Sequence, residues 1–317
     1  MMFNRIKLYN ILGILTLLYL VLMQKTHAET QMLPKANLNN LKVYVREIVG
    51  RPEIYRNHKN VVELNRVAAW IKEQMKQFGI PCHYQSYSVN RQTYKNIVCS
   101  LNVGYPYRAI VGAHYDVYGE QEGADDNASG IAGVLETARL LALQKSKLQQ
   151  NIEFVFYTLE EPPYFRTENM GSYIHAKSVS KNKQSISGVY ILEMIGYYST
   201  KEIQQYPVGL GILYPSNANF IAAISNFSSR QLSAQFCDSM RDLNQLPCER
   251  FIGPAFIHGI DFSDHGNYWD MEIPAIMITD TAFYRNPYYH TENDRVATLN
   301  FHKMANVING LTQTLLK

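Results

Sequence analysis

Asp125 and Asp126 stand side by side in Gly123-Ala124-Asp125-Asp126-Asn127-Ala128-Ser129-Gly130. Nine residues before Asp125, the apolar run Arg108-Ala109-Ile110-Val111-Gly112-Ala113 ends in His114-Tyr115-Asp116. An imidazole and a carboxylate closing an apolar run, then a short loop and paired acids, are residue types that suit a divalent metal. Three more features share this placement. Glu160-Glu161 follows Ile152–Leu159 and precedes Pro162-Pro163, which excludes an ordinary exposed helix face. Glu193 closes Val189-Tyr190-Ile191-Leu192, where burial is costly without a cation partner. His290 lies in Asn286-Pro287-Tyr288-Tyr289-His290-Thr291, after the run from Ala275 to Asp280. Each alone has a bland reading: a hydrogen-bonded His-x-Asp, a solvated acidic pair, a loop histidine among tyrosines. In this order, at the carboxyl ends of successive apolar runs, they point to one metal site.

The elements that position these residues follow from periodicity. Helices are expected over Leu38–Val49 and from about Asn60 to Phe78, the second stopped by Gly79. Two strand-like runs, Pro81–Val89 and Tyr94–Leu101, read as a hairpin turning near Asn90-Arg91. Short apolar runs follow at Ala109–Ala113, Ile152–Tyr157, Gly188–Leu192 and Pro274–Ile278. Helical patterns separate them: Ile131, Val134, Leu135, Ala138 and Leu141 share one face, with Asn127 placed as a cap, and another helix follows Met170. A last helix carries Phe301, Met304, Ala305, Ile308, Leu311 and Leu315 on one side. Short apolar runs alternating with helices imply an α/β fold: three layers, α/β/α, around a central mixed, largely parallel sheet.

These motifs make the sequence similar to metallopeptidase family 28, the co-catalytic zinc aminopeptidases, which have glutaminyl cyclases as relatives. The resemblance is strongest from Ile110 to Thr298 and includes Ser263-Asp264-His265. It implies two Zn2+ per chain, with Asp125 as the bridging carboxylate. Glu161 and His290 would complete one ion, and His114 and Glu193 the other. It implies Glu160 as general base and Asp116 as the acid that orients the His114 imidazole. The implied reaction is removal of N-terminal residues from peptides with a free N-terminus, by a metal-bridging hydroxide. A single-zinc, glutaminyl cyclase-like acyltransferase is the alternative. The resemblance further implies a cis peptide between Asp125 and Asp126. Arg166 and Glu168 could contact substrate or pair with each other, and Asp264 is placed behind the site or at the substrate. Tyr284, Arg285 and Tyr289 are candidate oxyanion donors, Tyr284 also a substrate contact.

Composition bounds the rest. The 317 residues are 46% hydrophobic and 18% charged, enough for a packed core. Residues 1–28 read as a signal peptide: Arg5 and Lys7, an apolar run from Ile11 to Met23, then Thr26-His27-Ala28. An uncleaved anchor is the alternative. Residues 29–317 are then a single peptidase domain, exported to a periplasm or the extracellular space, with no stable membrane association expected and a monomer favoured. Without Arg5, Lys7 and Lys25 the chain has 27 residues of each charge, so no nucleic-acid partner is implied. Four cysteines fit an exported protein and allow three pairings; the hairpin would face Cys82 to Cys99, leaving Cys237 with Cys248.

Overall fold

Eight strands form one sheet in the order β1-β2-β4-β3-β5-β8-β6-β7. These are Cys82–Val89 (β1), Gln92–Leu101 (β2), Arg108–His114 (β3), Asn151–Tyr157 (β4), Ile186–Glu193 (β5), Ile221–Ser225 (β6), Cys248–Ile252 (β7) and Ala275–Thr279 (β8). The structure is a computed structural model and describes residues 34–317 except 208. The segment read as a signal peptide lies outside the described residues. Lys35–Lys317 forms one compact unit, and among the described residues no helix is long and apolar enough to cross a membrane.

The central pairs β4/β3, β3/β5 and β5/β8 are parallel, as is β6/β7; the hairpin β1/β2 and the pairs β2/β4 and β6/β8 are antiparallel. The sheet is therefore mixed. Its central strands are buried along almost their whole length, as strands covered on both faces must be. Helices Leu38–Val49 (α1), Val61–Gln77 (α2), Gly130–Leu143 (α3), Arg230–Leu243 (α5) and Phe301–Leu316 (α7) pack on one face, forming a large core with Ile131, Leu135, Phe154, Leu192 and Ile308. Gly171–Val179 (α4) and His265–Asp270 (α6) cover the other, around Val155, Tyr157, Ile191 and Tyr268.

Local chemistry sets the helix ends. The Asn37, Asn60 and Asn300 side chains each accept a backbone N–H at the first turns of α1, α2 and α7. Strands β6 and β7 and the helix between them escape the sequence reading. Each strand has five residues, and β7 interleaves Glu249 and Arg250 among its apolar positions. Cys82 sits opposite Cys99 in the hairpin register, and the disulfides are Cys82–Cys99 and Cys237–Cys248. The second ties α5 to β7.

Candidate metal centre

The chain leaves β3 and returns as β4 on one side of it and β5 on the other, so the carboxyl end of β3 is a topological switch point. His114 ends β3, Glu160-Glu161 follows β4, and Glu193 ends β5. Left-handed residues at Leu159 (φ 61°), Met194 (φ 49°) and His290 (φ 56°) turn the backbone where these side chains must be aimed.

The paired acids divide in a way the sequence did not reveal. Asp126, and not Asp125, faces the histidines. Its Oδ1 is 3.4 Å from His114 Nε2, and its Oδ2 is 3.1 Å from His290 Nε2. Asp125, expected at the bridge, faces away and is saturated by protein donors. Its Oδ1 accepts from Gly196 N at 2.8 Å and Ser129 Oγ at 3.1 Å, and its Oδ2 accepts from Asn286 Nδ2 at 2.8 Å. The cis peptide lies between Asp126 and Asn127, one residue beyond the expected position. Asp294 fixes the turn by accepting from the backbone N–H groups of Asp125, at 2.8 Å, and Asp126, at 3.0 Å. Gly123 (φ 57°) opens it; a Cβ there would meet the Asp126 carbonyl oxygen at 2.3 Å. The buried Arg56 guanidinium donates to the Gly123 carbonyl at 2.6 Å and to that of Glu122.

Two triads result. His114, Asp126 and Glu193 offer ligand atoms to one point, and Asp126, Glu161 and His290 to another. His114 Nε2 is 3.3 Å from Glu193 Oε2, and His290 Nε2 is 3.2 Å from Glu161 Oε2. A tetrahedral zinc with ligands at ~2.1 Å separates its ligand atoms by about 3.4 Å, so the donor spacing fits. Glu161 Oε1 is buried with no hydrogen-bond partner among the described residues, and the close contacts of His290 Nε2 with Asp126 and Glu161 are not aligned as hydrogen bonds. Orphaned polar atoms of this kind normally mark a missing partner, here a cation.

The electrostatics agree. Burial raises Glu193, and burial with Asp126 pushes Glu161 up to about 7. Burial lifts Glu160 well above the carboxylate range, with Glu161 and Glu193 adding to the effect against His114. Burial pushes the His290 imidazole down, yet Asp126 and Glu161 outweigh it and bring it to about 10. His114 is raised well above its ordinary value in the same way, by Glu193 and Glu160 against burial. Four buried acids facing two imidazoles carry an excess of negative charge that divalent cations would neutralise.

The surrounding residues hold this geometry. Asn127 Nδ2 donates to the Leu192 carbonyl at 2.9 Å and to Glu193 Oε2 at 3.2 Å, while its Oδ1 accepts from Gly130 N at the start of α3. Ser263 Oγ donates to Glu193 Oε2 at 2.7 Å. Asp116 Oδ1 is 3.7 Å from His114 Nδ1, too long for a hydrogen bond. Its two oxygens instead accept from Glu160 N at 3.2 Å and Glu161 N at 3.1 Å, so Asp116 anchors the turn bearing both glutamates. The rings of Tyr118 and Tyr289 sandwich His290, with centroids 4.1 and 3.8 Å away.

Three expectations about substrate contacts change. Asp264 is fully buried, so it offers no surface to a substrate. Arg166 pairs with Asp261 and packs over Phe262, not with Glu168. Arg285 is engaged by Gln204 Oε1 and the Phe220 carbonyl, both at 2.8 Å. Tyr284 does line the cavity beside Glu193, as does Tyr289; the Tyr284 hydroxyl donates to the His258 carbonyl at 3.0 Å. Arg56 and Asp294 were not foreseen, since each sits in a polar loop with no pattern to distinguish it.

A model of the family described as Peptidase family M28 matches residues 96–315. The chain belongs to that family. A relative from Escherichia coli K12, described as uncharacterized protein YfbL, is 42% identical over 270 residues, covering 82% of each chain. Among solved structures, the Legionella pneumophila LapA aminopeptidase aligns with a TM-score of 0.68 at 20% identity, over 88% of this chain and 71% of that one. The Bacteroides thetaiotaomicron glutaminyl cyclase aligns at 0.67 and 16% identity, over 90% and 99%. At these identities the two structures establish the fold, which aminopeptidases and cyclases share.

Proposed function

We propose that this M28 member is an exported two-zinc aminopeptidase. The observation that carries the reading is Asp126, which presents one oxygen to each of two His/Glu pairs. A one-metal enzyme needs no second pair, so this geometry favours hydrolysis over the glutaminyl cyclase alternative. Zinc in the two cradles would polarise the scissile carbonyl and lower the pKa of a coordinated water toward ~7. His114 with Glu193, and His290 with Glu161, would hold the ions.

Glu160 is placed to move protons. Its Oε2 lies 3.8 Å from His114 Nε2, in a cluster with His114 and Glu161, within reach of a water held between the cradles, so it would receive a proton from that water and give it to the leaving amine. Tyr289 lines the cavity and faces Asp126, Glu161, Glu160 and Glu193. Its hydroxyl is the best-placed donor to the developing oxyanion, because Tyr284 and Arg285 are already engaged. A free substrate α-amine would find compensation among the acids, which makes the enzyme an exopeptidase acting on peptides. The two disulfides fit an oxidising compartment.

The test is zinc content together with two assays on purified protein, hydrolysis of aminoacyl-anilides and cyclisation of N-terminal glutamine. Two zinc ions with anilide hydrolysis support the proposal. One zinc with cyclisation and no anilide cleavage would replace it with the acyltransferase.

A further inference from the structure

The cavity beside the metal centre crosses the sheet in a straight row. Register pairs Glu193 of β5 with Thr279 of β8, Thr279 with Ala222 of β6, and Ala222 with Glu249 of β7. Directly paired residues share a face of the sheet, and all four line the cavity. Three strand spacings of ~4.8 Å make the row about 14 Å long. Its two ends are carboxylates, and its floor is the small pair Thr279 and Ala222. Met277 and Ile224 add apolar wall.

The far end is built differently from the middle. Tyr206 and Tyr214 stack with centroids 5.6 Å apart, and Phe251 lies 6.1 Å from Tyr214. Burial raises the hydroxyl pKa of both tyrosines, with Glu249 adding to it, and all three side chains line the same cavity. Cys248 points toward α5 through its bond to Cys237, and strand alternation turns Glu249 the opposite way, into the cavity. Burial raises the Glu249 carboxyl, and no cation among the described residues is paired with it. Arg285, whose charge reaches Tyr206, is spent on Gln204, the Phe220 carbonyl and the buried Asp280.

A half-buried carboxylate without a cation, walled by three aromatic rings, is an arrangement for recognising a positive charge. We propose that this cavity selects substrates whose N-terminal residue is lysine or arginine. The side-chain stem lies along Thr279 and Ala222, and its cation meets Glu249 and the faces of Tyr206 and Tyr214. A leucine side chain is too short to reach Glu249 and leaves that carboxylate without a partner. The inference rests on the aminopeptidase reading and names its substrate class.

The test compares lysyl-, arginyl-, norleucyl- and leucyl-anilides on the metal-loaded enzyme. Norleucine carries the lysine stem without the ammonium group, so the lysine-to-norleucine ratio of kcat/KM isolates the charge. That ratio is expected to be about tenfold or more in the wild type. In E249Q it should fall to near one, E249D should restore part of it, and E249K should drive it below one. A wild-type ratio near or below one, or a ratio that E249Q leaves unchanged, overturns the inference while cleavage of the leucyl and norleucyl substrates keeps the aminopeptidase reading. If the wild type cleaves none of the four, that reading and this inference fall together.

Discussion

Replacing Asp294 tests whether the paired acids are held in place from the far end of the chain. In Asp294→Ala, two buried backbone N–H groups, those of Asp125 and Asp126, lose their acceptors. A buried donor left without a partner costs roughly 1–3 kcal/mol, so the pair costs about 2–6 kcal/mol. Asp294→Asn keeps one oxygen and turns an amide toward the other N–H, which puts its cost at about half. Denaturant midpoints of metal-free protein measure this directly, because no bound ion then masks the change. The second readout is zinc affinity. The clamp fixes the backbone from which the Asp126 carboxylate projects, and loss of such support typically lowers metal affinity by about 10–100-fold. If Asp294→Ala stays within about 1 kcal/mol of the wild type, the N–H groups find other partners and the clamp is incidental. If stability falls but zinc affinity does not, Asp294 supports the fold without positioning Asp126.

Three further outcomes follow from the geometry. Glu160→Gln should keep its zinc and lose about 10²–10⁴-fold in kcat on an aminoacyl-anilide, since the amide cannot accept the proton; unchanged kcat would remove Glu160 from the mechanism. Tyr289→Phe should lower kcat by about 10²–10³-fold while retaining zinc, and a change confined to KM would assign the hydroxyl to binding instead. His265 is fully buried, donates from Nε2 to the Ile260 carbonyl at 2.7 Å, and is lowered to about 4 by burial. The unfolded chain binds its proton near pH 6.5, so between about 6.5 and 4 the unfolded state holds more protons and stability falls as pH falls. The loss across that window is up to about 3 kcal/mol, read as a denaturation midpoint in metal-free protein. His265→Gln should flatten the profile there, and an unchanged slope would assign it to other groups.

Much of this architecture was legible because its signals are local. Apolar runs of five to eight residues mark the buried central strands, and acids or histidines closing them are too costly to bury without a purpose. His114, Glu160, Glu161, Glu193 and His290 therefore stood out, and the structure brings all five together. The choice between Asp125 and Asp126 was not local. Consecutive side chains in the turn point to opposite sides, and what decides which side meets the histidines is Asp294, Asn286 and Gly196, all at least 70 residues away in sequence. Arg56 was hidden for the same reason. Strand β7 is short, lies at the edge of the sheet and carries Glu249 and Arg250, which leaves little apolar pattern to read, while β6 is apolar but only five residues long. Their contribution, a cavity wall ending in Glu249, depends on register, which composition does not encode.

The central claim is that Asp126 is shared by two metal ions, and zinc stoichiometry tests it most directly. After saturation and removal of excess metal, elemental analysis of the wild type should give two zinc ions per chain. Asp126→Asn should lose both together, because both triads draw on that carboxylate, while Asp125→Asn should retain them. One zinc in the wild type, or two zinc ions retained by Asp126→Asn and lost by Asp125→Asn, would contradict the account.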